Sequence, residues 1–293
     1  MSLNRPLLAI CLASFIGVGS ATAAFSADFG SGPAPVAAPS QWRLSFTPYA
    51  WLIWLDGEQT VRGRSVDVHV DPIQLLDHLE RVPFFGYGEA RNGPLALYSD
   101  IFYANLGLSG GGIKSRSLAS RINGTLSAAL GLDFEEAVVE VGGAYEVMKC
   151  DSHTAIDLLA GARYWHQEMS INLALAGSLD TGDLVVSGNR AIDRSGSVDW
   201  VDPVVGARIR YNLAPGQDLM LRGDVGGFGA GSQFSWNALA AYSFVFAKRD
   251  GVTYSGLLGY RALSADYEQG SGRTKYVYDL VMHGPITGLT VSY

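Results

Sequence analysis

From Trp42 onward the chain alternates between apolar and polar positions with a period of two. Val201, Pro203, Val205, Ala207, Ile209 and Tyr211 fall on one face of an extended chain, and Asp202, Gly206, Arg208 and Arg210 on the other. Leu219, Leu221 and Val225 likewise oppose Arg222 and Asp224, and Ile156, Leu158, Ala160, Ala162 and Tyr164 oppose Asp157, Gly161 and Arg163. Val139, Val141, Tyr145 and Val147 oppose Glu136, Glu140, Gly142 and Glu146. Trp236, Ala238, Ala240, Tyr242, Phe244 and Phe246 oppose Ser235, Asn237 and Ser243, and the last residues set Leu289, Val291 and Tyr293 against Gly288, Thr290 and Ser292. Side chains of a strand point alternately to its two faces, so each run predicts a strand with one apolar face.

These runs are about ten residues or longer, which matches transmembrane β-strands better than the roughly five or six residues of a soluble sandwich. Their apolar face would meet lipid and their charged face a lumen. The pattern predicts strands at 42–54, 82–92, 95–107, 123–148, 153–167, 197–212, 217–227, 233–248, 252–266 and 284–293. Short polar turns fall at 91–94, 149–152, 214–217 and 248–251, and longer links at 55–81, 108–122, 168–197, 227–233 and 267–283. Short turns alternating with long loops are the habit of outer-membrane barrels. The expected fold is therefore all-β, a closed antiparallel transmembrane β-barrel of about ten strands, with eight or twelve as alternatives. Closure follows because hydrocarbon offers no partner to the unpaired backbone groups of a strand edge. Trp42, Phe46, Tyr145, Tyr164, Tyr211, Trp236 and Tyr293 suit the two interfacial belts. One short helix is expected in the first long loop, at Pro72 to Leu79, with Asp71 as its N-cap and Pro72 at its first position.

Composition narrows the picture. The 293 residues are 48% hydrophobic and only 17% charged, with 36 Gly and an aromatic content of 11%; disordered chains have the opposite bias. The net charge of −7, with no basic run, argues against nucleic acid as a partner. Arg5, the apolar run Leu7 to Val18 and the small residues Ala21 to Ala24 make residues 1–24 an export signal. Residues 25–41, rich in Pro, Ala and Gly, form a flexible leader, and residues 42–293 the barrel. Of the two cysteines, Cys11 lies in the signal, so Cys150 is left as a single thiol and no internal disulfide is expected.

The ending Leu289-Thr290-Val291-Ser292-Tyr293 resembles the C-terminal strand signal of Gram-negative outer-membrane proteins, although Tyr replaces the commoner Phe. The blocks Trp200-Val201-Asp202-Pro203-Val204-Val205-Gly206-Ala207-Arg208, Gly223-Asp224-Val225-Gly226-Gly227-Phe228-Gly229-Ala230-Gly231-Ser232, Gly259-Tyr260-Arg261 and His283-Gly284-Pro285 resemble an uncharacterised proteobacterial outer-membrane β-barrel family over most of residues 42–293. The resemblance implies a protein inserted in the outer membrane by the barrel assembly machinery, with Tyr293 as the assembly signal. Outer-membrane lipid and lipopolysaccharide are the surroundings expected there.

The polar faces place Glu89, Arg91, Asp100, Glu140, Asp157, Arg163, Asp202, Arg208, Arg210, Arg222, Asp224 and Arg261 in the lumen. Arginine suits a confined charge network because its planar fork pairs with two carboxylates and stays ionised. Such a network serves either as a selectivity lining for small polar solutes or as a salt-bridged plug, and the mixed signs favour the plug. Catalytic residues are not evident: His69, His78, His153, His166 and His283 stand singly. His283 with Asp279, or His166 with Glu168, are the pairs an enzyme at the barrel rim would need. No metal-ligand spacing and no cofactor motif is present, and the run Gly226 to Gly231 lacks the order of a nucleotide loop. It suits a tight link in which glycine adopts positive φ. The sequence thus predicts a non-enzymatic structural barrel or narrow passive channel. Adhesion through the long loops, or a rim hydrolase, are the alternatives.

Overall fold

The computed structural model describes residues 42–61, 64–77, 82–109, 126–150, 152–180 and 185–293. The expected signal, leader and His78 lie outside the described residues, as does nearly all of the predicted link 108–122.

Among the described residues twelve strands form one antiparallel sheet: β1 (Arg43–Trp51), β2 (Trp54–Val61), β3 (Arg64–Val70), β4 (Phe84–Asn92), β5 (Leu95–Ser109), β6 (Leu126–Lys149), β7 (Thr154–Asp180), β8 (Val185–Ala214), β9 (Gln217–Gly226), β10 (Phe234–Arg249), β11 (Val252–Gln269) and β12 (Tyr276–Ser292). Strand β1 pairs with β4 on one side and with β12 on the other, so β1 and β4 to β12 close a ring of ten. The ten ring strands are the ten predicted from alternation. The one helix described, α1 (Pro72–Asp77), stands where the sequence places it, and Asp71 caps it by accepting the amide of Ile73 at 2.9 Å.

Three predicted loops are corrected. The link 55–81 contains the hairpin β2–β3, and β2 continues the line of β1: β12 pairs with β1 through Ile286 to Ser292 and with β2 through Val277 to His283. The link 168–197 is mostly ladder, because β7 and β8 stay paired from Thr154↔Tyr211 to Asp180↔Val185. The link 267–283 shrinks to a short turn containing the 3-10 segment Gly272–Thr274. Strand β9 meets β8 only from Val204 to Ala214, so the wall made by β6, β7 and β8 rises well beyond its neighbour. All four predicted short turns lie at the opposite end.

The outward face is apolar. Leu44, Leu97, Leu221 and Leu258 expose 48%, 50%, 54% and 52% of their surface, whereas Arg163, Asp157 and Asp202 expose none. Large apolar side chains outside and ions inside invert the soluble arrangement and fit hydrocarbon as the surrounding medium.

Candidate functional site: the filled lumen

Period-two alternation carries the charged residues inward, and inward glycines make room for them: a Cβ at Gly142 would strike the Tyr98 hydroxyl at 2.6 Å. Nearest the short turns, Arg91 Nη2 lies 3.0 Å from Asp157 and Arg91 Nε 3.0 Å from Glu89. Arg208 reaches Glu89 at 2.5 Å and Asp157 at 2.7 Å, while Arg210 binds Glu146 at 2.6 Å and Asp157 at 3.0 Å. Three guanidiniums thus meet three carboxylates.

A second tier lies above it. Arg163 sits between Glu140 (2.7 Å) and Asp224 (2.5 Å), and Arg222 pairs with the same two carboxylates. Arg261 reaches Asp100 at 2.8 Å, and Asn237 ties Asp224 to Arg261. This tier also balances three against three. Tyr87 and Tyr98 stack between the tiers with ring centroids 6.3 Å apart, Tyr87 bonding Glu89 and Tyr98 bonding Glu140. Charges this deeply buried persist only when paired and hydrogen-bonded.

Of the predicted lumen residues, Asp202 alone departs from the network's pattern. It faces inward but takes neutral donors: the Ser232 amide at 2.7 Å, the Ser232 hydroxyl at 2.8 Å and Trp165 Nε1 at 3.1 Å. Those bonds draw the β9–β10 link onto β8. The link has the expected positive φ at Gly227 and Gly229, and Phe228 shares it at 52°.

In the half away from the short turns the inward face is largely apolar, where the predicted lumen network names only charged residues. There Trp165 stacks on Trp200 at 5.5 Å and Trp200 on Tyr267 at 4.2 Å, with Tyr278, Leu280 and Met282 buried alongside. Within this apolar fill a chain of bonds runs from Gln59 through Tyr276 and Gln167 to Glu136, which also accepts from Tyr278 at 2.9 Å. The signal was present in Tyr276, Tyr278, Leu280 and Met282, which alternate with Val277, Asp279 and Val281. With valines on the other face as well, the run does not declare which side is inside.

The described histidines lie outside the lumen. His283 contacts Asp56 at 3.2 Å and Tyr260 at 2.7 Å rather than Asp279, and Asp56 also binds His69. His166 pairs with Asp199 at 2.7 Å rather than with Glu168, and Asp199 accepts from Tyr164 at 2.5 Å. Both groups face outward at the upper edge of the apolar belt.

A closed ladder, an apolar exterior and a charge-paired interior define an outer-membrane β-barrel. No family model matches the chain, and no curated protein matches it. Solved structures similar to it include the outer membrane protease OmpT from Escherichia coli, at 10% identity and TM-score 0.49, covering 89% of this chain and 99% of that one. A major outer membrane protein from Thermus thermophilus is 14% identical with TM-score 0.32, covering 85% and 99% of the two chains. Ail, the attachment invasion locus protein of Yersinia pestis, is 9% identical with TM-score 0.30, covering 86% and 98%.

Proposed function

We propose that this chain is a plugged, non-catalytic outer-membrane barrel whose role is structural. The carrying observation is that the lumen holds two tiers of ion pairs, each balanced in charge, beneath a layer of packed aromatic rings. A charge-selective filter presents unpaired charge or carbonyl dipoles to its solute, whereas here each guanidinium is already paired with carboxylates at hydrogen-bond distance. The blocks that suggest an uncharacterised proteobacterial barrel family support the same reading. Asp202 of one block bonds Ser232 of another, Arg261 belongs to the upper tier, and Gly284 lies where β1 gives way to β2.

The test is single-channel conductance in a planar bilayer, after heat-modifiable gel mobility has shown that the refolded chain is a barrel. Electrical silence is expected. Discrete steps would overturn the plugged reading in favour of a narrow passive channel for small polar solutes.

The tall wall of β6 to β8 favours a second role in surface interaction, since a scaffold needs no strands beyond the membrane belt. Lipid, lipopolysaccharide and the barrel assembly machinery are the proposed surroundings. Tyr293, whose backbone exchanges two hydrogen bonds with Leu44, is the proposed assembly signal. Deleting it should slow insertion, and unchanged kinetics would remove that role.

A further inference from the structure

The outer wall is not smooth. Across β8, β9, β10 and β11 two rows of side chains lie side by side: Ile209, Leu221, Ala240 and Tyr260 in one, Tyr211, Leu219, Tyr242 and Leu258 in the other. Ala240 is the small member, and the space above it opens a groove of about 490 Å³ lined almost wholly by apolar atoms. The groove runs toward the short-turn end, where Tyr242 donates to Gln217 at 3.1 Å.

Among the side chains described, the two ends of the barrel differ in charge. At the short-turn end Arg43, Lys149, Lys248 and Arg249 are exposed, with Asp218 and Asp250 as the described acids. The opposite end carries Glu58, Asp67, Asp199, Asp266, Glu268 and Asp279 on its exposed surface, against Lys275, which pairs with Glu268 at 2.9 Å. Short turns face the periplasm, so the basic rim meets the inner leaflet. Exposed Lys and Arg beside a bilayer attract anionic headgroups.

We propose that this groove is a binding site for one phospholipid of the periplasmic leaflet, with an acyl chain over Ala240 and the phosphate beside Lys248 and Arg249. The site rests on the membrane-barrel reading. The walls are hydrocarbon and already face lipid, so an acyl chain held over Ala240 gains by close packing in the recess and not by leaving water. The exposed Arg249–Asp250 pair, at 3.5 Å, is weak enough to yield to a phosphate.

Native mass spectrometry of the refolded full chain tests this, with dipalmitoylphosphatidylglycerol as the anionic probe and dipalmitoylphosphatidylcholine as the zwitterionic, net-neutral comparison. The expected result is one phosphatidylglycerol retained per barrel after detergent exchange, lost in Ala240→Phe, which fills the groove, and kept in Leu97→Ala on the far wall. Lys248→Gln with Arg249→Gln should reduce the preference for phosphatidylglycerol to parity. If Ala240→Phe fails to fold, Leu221→Trp fills the same space. Retention undiminished in a folded groove-filling variant overturns the site. So does a dimer mass that the variant abolishes without lipid release, since the occupant is then a second copy. A chain that never shows heat-modifiable mobility refutes the barrel reading itself; a folded barrel that retains no lipid refutes only the site.

Discussion

Arg261 on β11 and Asp100 on β5 meet at 2.8 Å across the lumen, with β12, β1 and β4 between them one way round the ring and β6 to β10 the other. Arg261 also donates to Tyr49 and Asn237 and lies 5.1 Å from the centre of the Trp51 ring. A bond that spans the barrel fixes its cross-section as no neighbouring-strand bond does. Removing one partner strands the other charge in a buried site, which costs about 3–5 kcal/mol. Arg261→Leu and Asp100→Leu should each lower the urea midpoint of unfolding strongly. The double variant should cost less than the two together, by roughly 1–3 kcal/mol. Strict additivity would mean the pair is not coupled.

The plug has two chemically different layers, and each should suffice to block ions. Replacing Arg208, Glu89, Arg222 and Glu140 by alanine loosens both ionic tiers; replacing Trp165 and Trp200 by alanine opens the aromatic layer above. Either set alone should leave folded barrels electrically silent in a planar bilayer, and conductance should appear only when the two are combined. Conductance from the first set alone would show that the aromatic layer is no seal.

How much of this was legible follows from what each residue has to satisfy. Lipid imposes a rule on every outward side chain in the belt, so Val205, Leu221 and Leu258 declare their strands. The lower tier was legible for the same reason, since Arg208 and Asp157 alternate with those apolar neighbours. Beyond the membrane the rule lapses. Ser187 to Ser197 has no consistent apolar face, yet the backbone ladder β7–β8 continues through it, because hydrogen bonding between strands asks nothing of the side chains. The partners of Asp202 were hidden for another reason: Ser232 lies thirty residues away in a glycine-rich link, and only the folded geometry brings it near.

That link supplies a third prediction. Ser232→Ala removes one hydroxyl from a buried carboxylate and should cost about 1.5–3 kcal/mol, the usual worth of a hydrogen bond to a charged group. Asp202→Ala should cost more, as it leaves the Ser232 amide, the Ser232 hydroxyl and Trp165 Nε1 without an acceptor. The measurable sign is faster proteolytic cleavage at exposed Phe228, with the rest of the barrel still protected. Equal cleavage in parent and variants would show that Asp202 does not hold the link.

Gly284 sits at the point where β12 changes partners from β1 to β2. Its φ is +154°, and a Cβ there would run into the carbonyl oxygen of Leu52, the residue at the break between those strands. Leu52 in turn donates its amide to Pro285 at 3.0 Å, so the collision falls on backbone that cannot swing aside. Gly284→Ala should therefore cost about 3 kcal/mol or more, from strained φ and displaced ladder together. Gly93 offers the contrast. Its φ is +56° in a turn where a Cβ would meet nothing within 4 Å. Gly93→Ala should cost only about 1–2 kcal/mol, the penalty of a left-handed backbone by itself. Measured by heat-modifiable mobility against urea, the two substitutions should separate clearly. If they proved equal, the close approach of β12 to Leu52 would not be what demands glycine at position 284.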